Sequence, residues 1–356
     1  MKYITGLLIV ICLFIVVMLP LVSAGSTKWK SVKSKNTEDL RAVYFGDVKN
    51  VFIVGDKGTI LKSTDSGKKW KKLTSGSTAT LRGVHFTDKS NGWACGDGDA
   101  DAPRPRGHVV GGRPMKAGTC LITKDGGKKW TRVWVQMNFD LRSIWMASKK
   151  IGQICNHGGA GHADGDKVIT NDGGKTWAQK RVYRGLNDCY WTSTKVGWAV
   201  GSRVSVGFMP TPTSPLYTNK TCRIIYTKDG GNTWTPVKEP DIGGRNQLRS
   251  VWFADKKVGC TVGDAGSILY TTDGGNKWTK CKAVTDKNLY AVCLVDKKKG
   301  WAVGADGVIL KTTDGGKKWK KDKSPTKETL YGLHFNKKGK VGIAVGKKGT
   351  VVRLGS

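Results

Sequence analysis

Arginine recurs at one position of a hexapeptide that the chain repeats. The four arginine-bearing copies are LRAVYF at 40–45, LRGVHF at 81–86, LRSIWM at 141–146 and LRSVWF at 248–253. A guanidinium group presents a planar fork of donors that binds a carboxylate through two parallel hydrogen bonds. If the fold brings this position together, the sequence predicts an anion-binding patch. Its members are Arg41, Arg82, Arg142 and Arg249, with Arg184 and Arg245 in nearby loops.

The alternative role for these arginines is local ion pairing. Asp39 and Asp140 lie two residues before Arg41 and Arg142, and a neighbouring carboxylate neutralises an arginine without creating a binding site. The spacing alone does not decide between the two roles of these arginines, a docking patch or local ion pairs.

A second repeated pattern, S/T-x-D-x-G-x-x-W, places an aspartate between a hydroxyl residue and a tryptophan. Aspartate side chains accept hydrogen bonds from backbone amides in turns, and the following glycine supports a positive φ. We therefore expect structural turns, known as Asp-boxes, rather than catalytic carboxylates, with calcium binding as the weaker alternative. The aspartates are Asp65, Asp125, Asp172, Asp229, Asp273 and Asp314.

The leucine-led hexapeptide sets the period of the chain. Successive copies are 41, 60, 45, 62, 41 and 41 residues apart. A period near 41 residues, with short β-branched and aromatic runs, is typical of a four-stranded propeller blade. The sequence therefore predicts an all-β, seven-bladed β-propeller with four antiparallel strands, a to d, in each blade. The copies begin at Leu40, Leu81, Leu141, Leu186, Leu248, Leu289 and Leu330.

The last repeat lacks both its Asp-box and its fourth strand. The segment KWKSV at 28–32 matches KWKKL at 69–73, which is the fourth strand of the first repeat. We therefore expect residues 28–33 to form the outer strand of blade seven beside residues 330–354, with Trp29 in place of the missing tryptophan. Such a closure leaves no unpaired sheet edge.

Residues 1–24 precede the repeats and differ from them in character. Lys2 is followed by a long apolar stretch that ends in VSA before Gly25, which is the pattern of a signal peptide. We expect residues 1–24 to direct export and residues 25–356 to form a single propeller in the periplasm, the thylakoid lumen or the extracellular space. An uncleaved membrane anchor is the alternative.

Eight cysteines follow the apolar segment, and an even number suggests disulfides in an exported protein. Cys95 and Cys120 occupy the same repeat positions as Val54 and Ile60, on neighbouring strands b and c. A disulfide between Cys95 and Cys120 is therefore predicted at the base of the long loop 96–118. The other pairings cannot be deduced from the sequence.

The formal net charge is +34, mostly from lysine. In a propeller the a–b and c–d turns share one face, and both kinds of turn are rich in lysine, as in DKKK at 296–299 and GKKWKK at 316–321. This lysine face favours a polyanion or an anionic membrane as partner, and a solvated surface is the alternative. Aromatic residues do not alternate with the basic runs, so sequence-specific nucleic-acid recognition is not expected.

The opposite face of the propeller carries the b–c and d–a loops. Blades two, three and four exceed the 41-residue period, and the extra residues fall in the b–c loops 96–118, 156–166 and 201–221. Adjacent long loops on a rigid scaffold are common binding sites. We therefore expect a monomeric protein that binds a protein partner, an acidic or membrane-protein segment, through its loop and arginine face.

The segment GWAVGADGVILKTTDGGKKWKK at 300–321, repeated beside LRSVWF-type strands, resembles the photosystem II assembly and stability factor propellers. The resemblance implies a seven-bladed, non-enzymatic protein of the thylakoid lumen that binds the D1 reaction-centre protein through an arginine patch. In this chain that role would fall to Arg41, Arg82, Arg142 and Arg249. The patch is partial, because blades four, six and seven have Asn187, Tyr290 and Tyr331 at this position. The lysine content and the long loops depart from the family's pattern.

Sialidases and xyloglucanases also contain Asp-boxes, so a glycosidase is the enzymatic alternative. A glycosidase needs a facing pair of carboxylates. The only glutamates are Glu38, Glu239 and Glu328, all in d–a loops without a recognisable partner motif. We therefore expect a protein without catalytic residues.

Metal binding has two faint signatures, which together could form a site between blades two and three: the segment 97–101, and on the neighbouring blade the group His157, His162, Asp164 and Asp166. The aspartates of DGDAD at 97–101 resemble the start of a calcium loop, but Ala102 and His108 replace its glycine and its glutamate. The sequence therefore predicts neither a metal site nor a cofactor.

Overall fold

The computed structural model describes residues 28–99, 109–110, 113–114, 118–135, 140–157, 165–182, 185–202, 223–244 and 246–355. Within these ranges the chain forms seven four-stranded antiparallel sheets and a two-stranded hairpin. Each four-stranded sheet is one blade, so the predicted seven-bladed β-propeller is confirmed. The signal segment 1–24 and most of the three long loops lie outside the described residues.

The first strand, β1 (Lys30–Val32), belongs to the last blade, and blade one follows it in the chain. Blade one consists of β2 (Leu40–Phe45), β3 (Val51–Gly55), β4 (Ile60–Ser63) and β5 (Lys71–Leu73). Blade two consists of β6 (Leu81–Phe86), β7 (Gly92–Gly98) and, after the hairpin β8 (Val109–Val110) and β9 (Arg113–Pro114), β10 (Gly118–Thr123) and β11 (Thr131–Trp134). Blade three consists of β12 (Asp140–Met146), β13 (Gly152–His157), β14 (Gly165–Thr170) and β15 (Ala178–Val182).

The remaining blades repeat the same order. Blade four consists of β16 (Leu186–Trp191), β17 (Gly197–Gly201), β18 (Ile224–Thr227) and β19 (Thr235–Pro236). Blade five consists of β20 (Leu248–Phe253), β21 (Gly259–Gly263), β22 (Ile268–Thr271) and β23 (Thr279–Lys280). Blade six consists of β24 (Leu289–Leu294), β25 (Gly300–Gly304), β26 (Ile309–Thr312) and β27 (Lys320–Lys321). Blade seven consists of β28 (Leu330–Phe335), β29 (Gly342–Gly346), β30 (Val351–Leu354) and β1.

The N-terminal strand closes the ring, as the sequence predicts. Strand β1 pairs antiparallel with β30, and Lys30 lies opposite Arg353 in the register. Trp29 is only 4% exposed and packs edge-on against Phe335 at 6.1 Å between ring centroids. Blade seven is therefore assembled from the two ends of the described chain, and β1 covers the outer edge of β30.

Neighbouring blades are held together by stacked aromatic rings. In three places, an aromatic side chain on strand b of one blade stacks on the last residue of strand a of the next blade. The stacked pairs are Phe52 with Phe86 (3.9 Å), Trp198 with Phe253 (4.0 Å) and Trp301 with Phe335 (4.6 Å). Such pairs stabilise a fold by about 0.5–1.5 kcal/mol beyond the area they bury. These contacts hold strand a of blades two, five and seven against the preceding blade.

The Asp-box turns have one hydrogen-bonding pattern, which blade five illustrates. Asp273 accepts a hydrogen bond from the Lys277 amide (3.0 Å), while the Thr271 hydroxyl bonds to Asp273 (2.8 Å) and accepts from the Gly275 amide (2.9 Å). The backbone of Gly275 has a φ of +83°, which favours glycine. The other five predicted aspartates also accept backbone amides of their own turns. In the described structure these carboxylates serve the turn.

The disulfide predicted between Cys95 and Cys120 stays a prediction, because the structure shows the two residues as free thiols. They lie directly opposite each other in β7 and β10, as expected. They are fully buried beside Trp93 and Ile122, in an apolar cluster between blades two and three. Burial raises the pKa of the Cys120 thiol to about 12 and so suppresses the thiolate that disulfide exchange requires.

Within the described ranges, no helix has the length and apolar character needed to cross a membrane.

Candidate functional site

The second residues of the seven leucine-led hexapeptides line one recess at the centre of the ring. This recess has a volume of about 190 Å³, roughly the space of six water molecules. We call these seven residues the arginine mouth. They are Arg41, Arg82, Arg142, Asn187, Arg249, Tyr290 and Tyr331. The four arginines predicted from the repeat are therefore brought together, whereas Arg184 and Arg245 lie outside the described residues.

A backbone contact places a carboxylate beside three of these arginines. The residue after strand b donates its amide to the loop before strand a, as in Asp56 N to Asp39 O at 2.9 Å. The loop passes so close to Gly55 that a Cβ there would lie 2.2 Å from the Asp39 carbonyl oxygen. Glycine at the end of strand b therefore allows the contact. The same amide bond recurs at Asp97 and Asp264.

Three arginines of the mouth are neutralised by these carboxylates. Arg41 donates Nε and Nη2 to the two oxygens of Asp56 at 2.8 and 2.6 Å. Arg82 makes the same two bonds to Asp97 at 2.5 and 2.6 Å. Arg249 Nε lies 2.5 Å from Asp264 Oδ1. In each case the acid follows its arginine by fifteen residues in the chain.

The pairing has an electrostatic signature at Arg41. Burial by itself lowers the pKa of the Arg41 guanidinium, but the hydrogen bonds and charge of Asp56 raise it above the ordinary value. Burial likewise raises the pKa of Asp56, and the bonds from Arg41 lower it below the ordinary value overall. Both groups therefore stay charged, and each satisfies the other.

Arg142 is the exception among the four arginines. His157 stands fifteen residues after it, where the other three blades have aspartate. Its nearest acid is Asp140, whose Oδ2 lies 3.6 Å from Nη2, and no described residue accepts a hydrogen bond from its Nε. Burial, and then the charge of Arg82, lower the pKa of the Arg142 guanidinium. This arginine is therefore the least compensated cation of the mouth.

Blades six and seven contribute an aromatic side to the mouth. The rings of Tyr290 and Tyr331 meet edge to face, with centroids 5.4 Å apart. Arg41 lies over the Tyr331 ring at 4.7 Å, and Arg249 lies over the Tyr290 ring at 5.3 Å. These two arginines are thus held by both a carboxylate and a ring face, which fixes their orientation.

Aromatic rings deeper in the channel form a floor beneath the mouth. The residues of this aromatic floor are Tyr44, His85, Trp145, Tyr190, Trp252 and His334, with consecutive ring centroids 4.2–5.2 Å apart. Burial lowers the pKa of His85 and of His334 to about 3, so both imidazoles are neutral near pH 7. The mouth therefore opens on one side and ends on an uncharged surface.

A buried carboxyl group, Asp188, lies between the mouth and the floor. It accepts hydrogen bonds from Ser143 Oγ (2.6 Å), the Val251 amide (3.0 Å) and the Cys189 amide (2.9 Å). Burial raises the pKa of Asp188, although these bonds oppose the shift. The bonds join blades three, four and five, so we assign Asp188 to positioning the wall below Arg142.

Sequence reasoning predicted the arginines but missed their main partners. The local pairs expected with Asp39 and Asp140 are present, at 3.2 Å from Arg41 and 3.6 Å from Arg142. The shorter partners Asp56, Asp97 and Asp264 were not recognised. The signal for them is the constant fifteen-residue step from arginine to the aspartate after strand b, which is visible in the sequence.

Other acidic residues that suggested chemistry have local partners. Asp97 of the calcium-like segment binds Arg82, and Asp99 accepts Ser77 Oγ at 2.7 Å and Thr78 Oγ1 at 2.6 Å and pairs with Arg132. Among the described residues, no group of three or more potential ligands is arranged to hold a metal ion.

The three glutamates are also paired with cations. The pairs are Glu38 with Lys57 (3.1 Å), Glu239 with Arg223 (3.5 Å) and Glu328 with Lys348 (2.9 Å).

The a–b and c–d turns of a blade meet on the face opposite the mouth. The Gly274 amide of a c–d turn bonds to the Lys257 carbonyl of the a–b turn in the same blade, and Gly315 bonds to Lys298 in the next. This contact gathers the lysines of both turns on one surface, the lysine face.

The chain is an Asp-box, seven-bladed β-propeller with an arginine-lined mouth. The sequence model of the family described as Photosynthesis system II assembly factor YCF48 matches residues 282–355, which contain blade six and β28–β30. The resemblance to photosystem II assembly factors that the sequence predicts is thereby confirmed. No curated protein matches the chain.

Solved structures share the fold over most of the chain. A structure described as YCF48 bound to D1 peptide is 18% identical, with a TM-score of 0.66, and the match covers 95% of this chain and 100% of that one. YCF48 from Cyanidioschyzon merolae is 16% identical, with a TM-score of 0.66 and coverages of 92% and 98%. The GH74 xyloglucanase from Xanthomonas campestris is 13% identical, with a TM-score of 0.62 and coverages of 91% and 53%. The architecture thus occurs in both an assembly factor and a glycosidase.

Proposed function

We propose that this chain is an exported, non-enzymatic scaffold that holds an acidic segment of a partner protein at the arginine mouth. The observation that carries the proposal is the convergence of four arginines on one recess with a closed, uncharged floor. A recess of about 190 Å³ accommodates a side chain or a chain end rather than a folded surface. Guanidinium groups in such a site select carboxylates over neutral side chains.

The resemblance to YCF48 supports a particular partner class. The solved YCF48 structure contains a D1 peptide, and we propose an equivalent peptide from a reaction-centre protein as the ligand of this chain. The chain acts in this proposal as a monomer, without cofactor or metal. Its place of action is an exported compartment, because residues 1–24 have the pattern of a signal peptide. Sequencing the N-terminus of the secreted protein tests the export proposal, which predicts a start at Gly25.

The proposal includes the absence of glycosidase activity. The fold of the GH74 enzymes is shared, but catalysis requires a facing carboxylate pair. In this chain the three glutamates are bound to Lys57, Arg223 and Lys348. Release of reducing sugar from xyloglucan, or of fluorophore from a sialoside, by the pure protein would overturn this part.

The binding proposal is tested by fluorescence polarisation with a labelled D1 peptide. Replacing all four mouth arginines with alanine should weaken binding by at least about tenfold, equivalent to 1.4 kcal/mol. The matched control carries four lysine-to-alanine changes on the opposite face, so that both variants lose the same charge. The control residues are Lys256, Lys257, Lys297 and Lys298.

The control should keep wild-type affinity within about twofold, since exposed charges outside a binding site contribute little. Circular dichroism establishes that both variants are folded. Equal losses in the two variants, or wild-type protein that does not bind the peptide, would contradict docking at the mouth.

A second candidate function is adhesion of the lysine face to an anionic membrane. The observation that favours it is the gathering of a–b and c–d turns on one surface, in a chain of net charge +34. The aspartates of that face are engaged with turn amides, as Asp255 is with Lys257 and Val258. Co-sedimentation with phosphatidylglycerol vesicles should fall steeply between 50 and about 300 mM salt, because the charges are exposed. Retention at high salt would argue against this mode.

A further inference from the structure

The structure assigns the partner's carboxylate to Arg142: we propose that a single carboxylate of the bound segment occupies the place that an aspartate fills in blades one, two and five. This inference rests on the proposed function and specifies the residue and the ligand group. It is independent of which protein supplies the segment.

The acid after strand b accompanies the arginine from blade to blade. Blades with an arginine in the mouth have aspartate fifteen residues later, at Asp56, Asp97 and Asp264. Blades without an arginine have no acid after strand b: Asn187 is followed fifteen residues later by Ser202, Tyr290 fifteen residues later by Ala305, and Tyr331 sixteen residues later by Lys347. Blade three breaks the rule, because Arg142 is followed by His157. The chain thus retains the cation and omits its counter-ion at one position only among the four arginines.

The surroundings of Arg142 favour an added anion. Its side chain is 31% exposed, and its Nε is buried without an acceptor among the described residues. The charges of Arg82 and Arg249 disfavour its charged form, and those of Asp140 and Asp97 favour it; its ion-pair partner among the described residues, Asp140, is 51% exposed and stands 3.6 Å away. A half-buried guanidinium without a full partner carries a desolvation penalty that a bound carboxylate removes.

The sister blades show why the ligand group is a carboxylate. In blades one and two the guanidinium at this position donates two parallel hydrogen bonds to a carboxylate, at 2.5–2.8 Å. In blade three Asp140 pairs with His157 across β12 and β13, so residue 157 has the corresponding ladder position, although Asn156 replaces the glycine that ends strand b in the sister blades. A planar acid entering the mouth can therefore reproduce that pair. Its neighbouring apolar atoms would face Tyr290 and Tyr331, which lie across the ring on blades six and seven.

The decisive variant restores the missing acid. H157D places an aspartate fifteen residues after Arg142, so the chain's own carboxylate competes with the ligand. The matched control is A305D, which adds the same charge at the same position of blade six, where the mouth residue is Tyr290. A second variant, R142K, keeps the charge but loses the bidentate fork.

Two labelled peptides act as probes and distinguish the sources of the carboxylate. One is Gly-Ser-Gly-Asp-Glu-Asp-Gly-Ser with an amidated end, which offers side-chain carboxylates only. The other is Gly-Ser-Gly-Ala-Leu-Ala with a free end, which offers the terminal carboxylate only, and its amidated form is the blank. The probe that binds wild-type protein identifies the source, and both sources satisfy the inference.

We expect H157D to weaken the affinity for the probe that binds by at least about tenfold. R142K should weaken this affinity about threefold or more, and A305D should change it less than twofold. H157D should also raise the melting temperature of the free protein, because it satisfies Arg142. Unchanged affinity in H157D, or an equal loss in A305D, overturns the role of Arg142. In that case, if the variant with all four mouth arginines replaced by alanine still fails to bind the D1 peptide, the proposed function stands without this inference. If wild-type protein binds neither the D1 peptide nor the probes, the proposed function itself fails.

Discussion

Replacing Trp29 with alanine opens the ring at the joint where the first described strand meets the last blade. The indole is 4% exposed and belongs to an apolar cluster that spans blades six and seven, including Trp301 and Phe335. Its ring meets Phe335 edge-on at 6.1 Å. Strand β1 also pairs with β30, and Val32 packs on the apolar cluster of blades one and seven, but Lys30 and Ser31 are exposed. Trp29 is therefore the largest buried side chain at this joint.

The magnitude follows from the buried area. A tryptophan buries about 150–250 Å², and at about 25 cal/mol per Å² this burial contributes about 4–6 kcal/mol. Alanine retains the Cβ and the site relaxes in part, so we expect the free energy of unfolding to fall by about 3–5 kcal/mol. The exposed neighbour Lys30, changed to alanine, should shift it by less than about 0.5 kcal/mol.

Urea denaturation followed by far-ultraviolet circular dichroism measures both variants. W29A should move the midpoint to lower urea, and K30A should not. A W29A midpoint within experimental error of the wild type would refute the claim that this strand closes the propeller.

Three further predictions follow from the charges and thiols. D97N releases Arg82 from its counter-ion, so it should strengthen binding of the acidic probe about threefold in polarisation titrations, and weaker binding would contradict the pairing rule. Burial raises the pKa of Asp172, but hydrogen bonds from Thr176 and Thr170 lower it to about 2. The ionised carboxylate therefore contributes its full stabilisation above about pH 5, and this contribution is lost as the pH falls toward 2. D172N should flatten that part of the curve of unfolding free energy against pH, measured by urea titration. Cys95 and Cys120 are buried, and burial raises the pKa of both thiols, so iodoacetamide at pH 8 should label them only after unfolding. If the two residues instead form a disulfide, the intact protein is lighter by two hydrogen atoms and neither residue is labelled in urea.

The fold was predictable because each blade repeats both its strands and its turn. The period of 41 residues and the match between 28–32 and 69–73 together predicted the closed ring. The structure confirms these elements. A propeller places equivalent residues at equivalent radii, so a repeated arginine in strand a had to reach the centre.

The electrostatics of the mouth could not be predicted from the hexapeptide alone. Asp56 approaches Arg41 because the backbone after strand b bonds to the loop before strand a, and this contact depends on the close approach at Gly55. The partner was sought among the acids adjacent in sequence, but the better acceptor is fifteen residues away. The exception at Arg142 becomes visible only once that pairing rule is known.

The aromatic floor was likewise not predictable from residue type, because its members share only their position in the hexapeptide. The fifth residue of the hexapeptide is Tyr44, His85, Trp145, Tyr190, Trp252, Cys293 or His334. These side chains look unrelated in the sequence, but the ring brings six of them into contact. The long loops of blades two to four remain the part for which the sequence gives length but no conformation.

The central claim is that a partner carboxylate completes the pair that blade three lacks. A crystal structure of the chain with the bound acidic probe tests it most directly. We predict a carboxylate with both oxygens within about 3.2 Å of the Arg142 guanidinium, in the geometry that Asp56 has with Arg41. A peptide bound elsewhere on the propeller, or a carboxylate seated on Arg82 or Arg249 with Arg142 untouched, would contradict it.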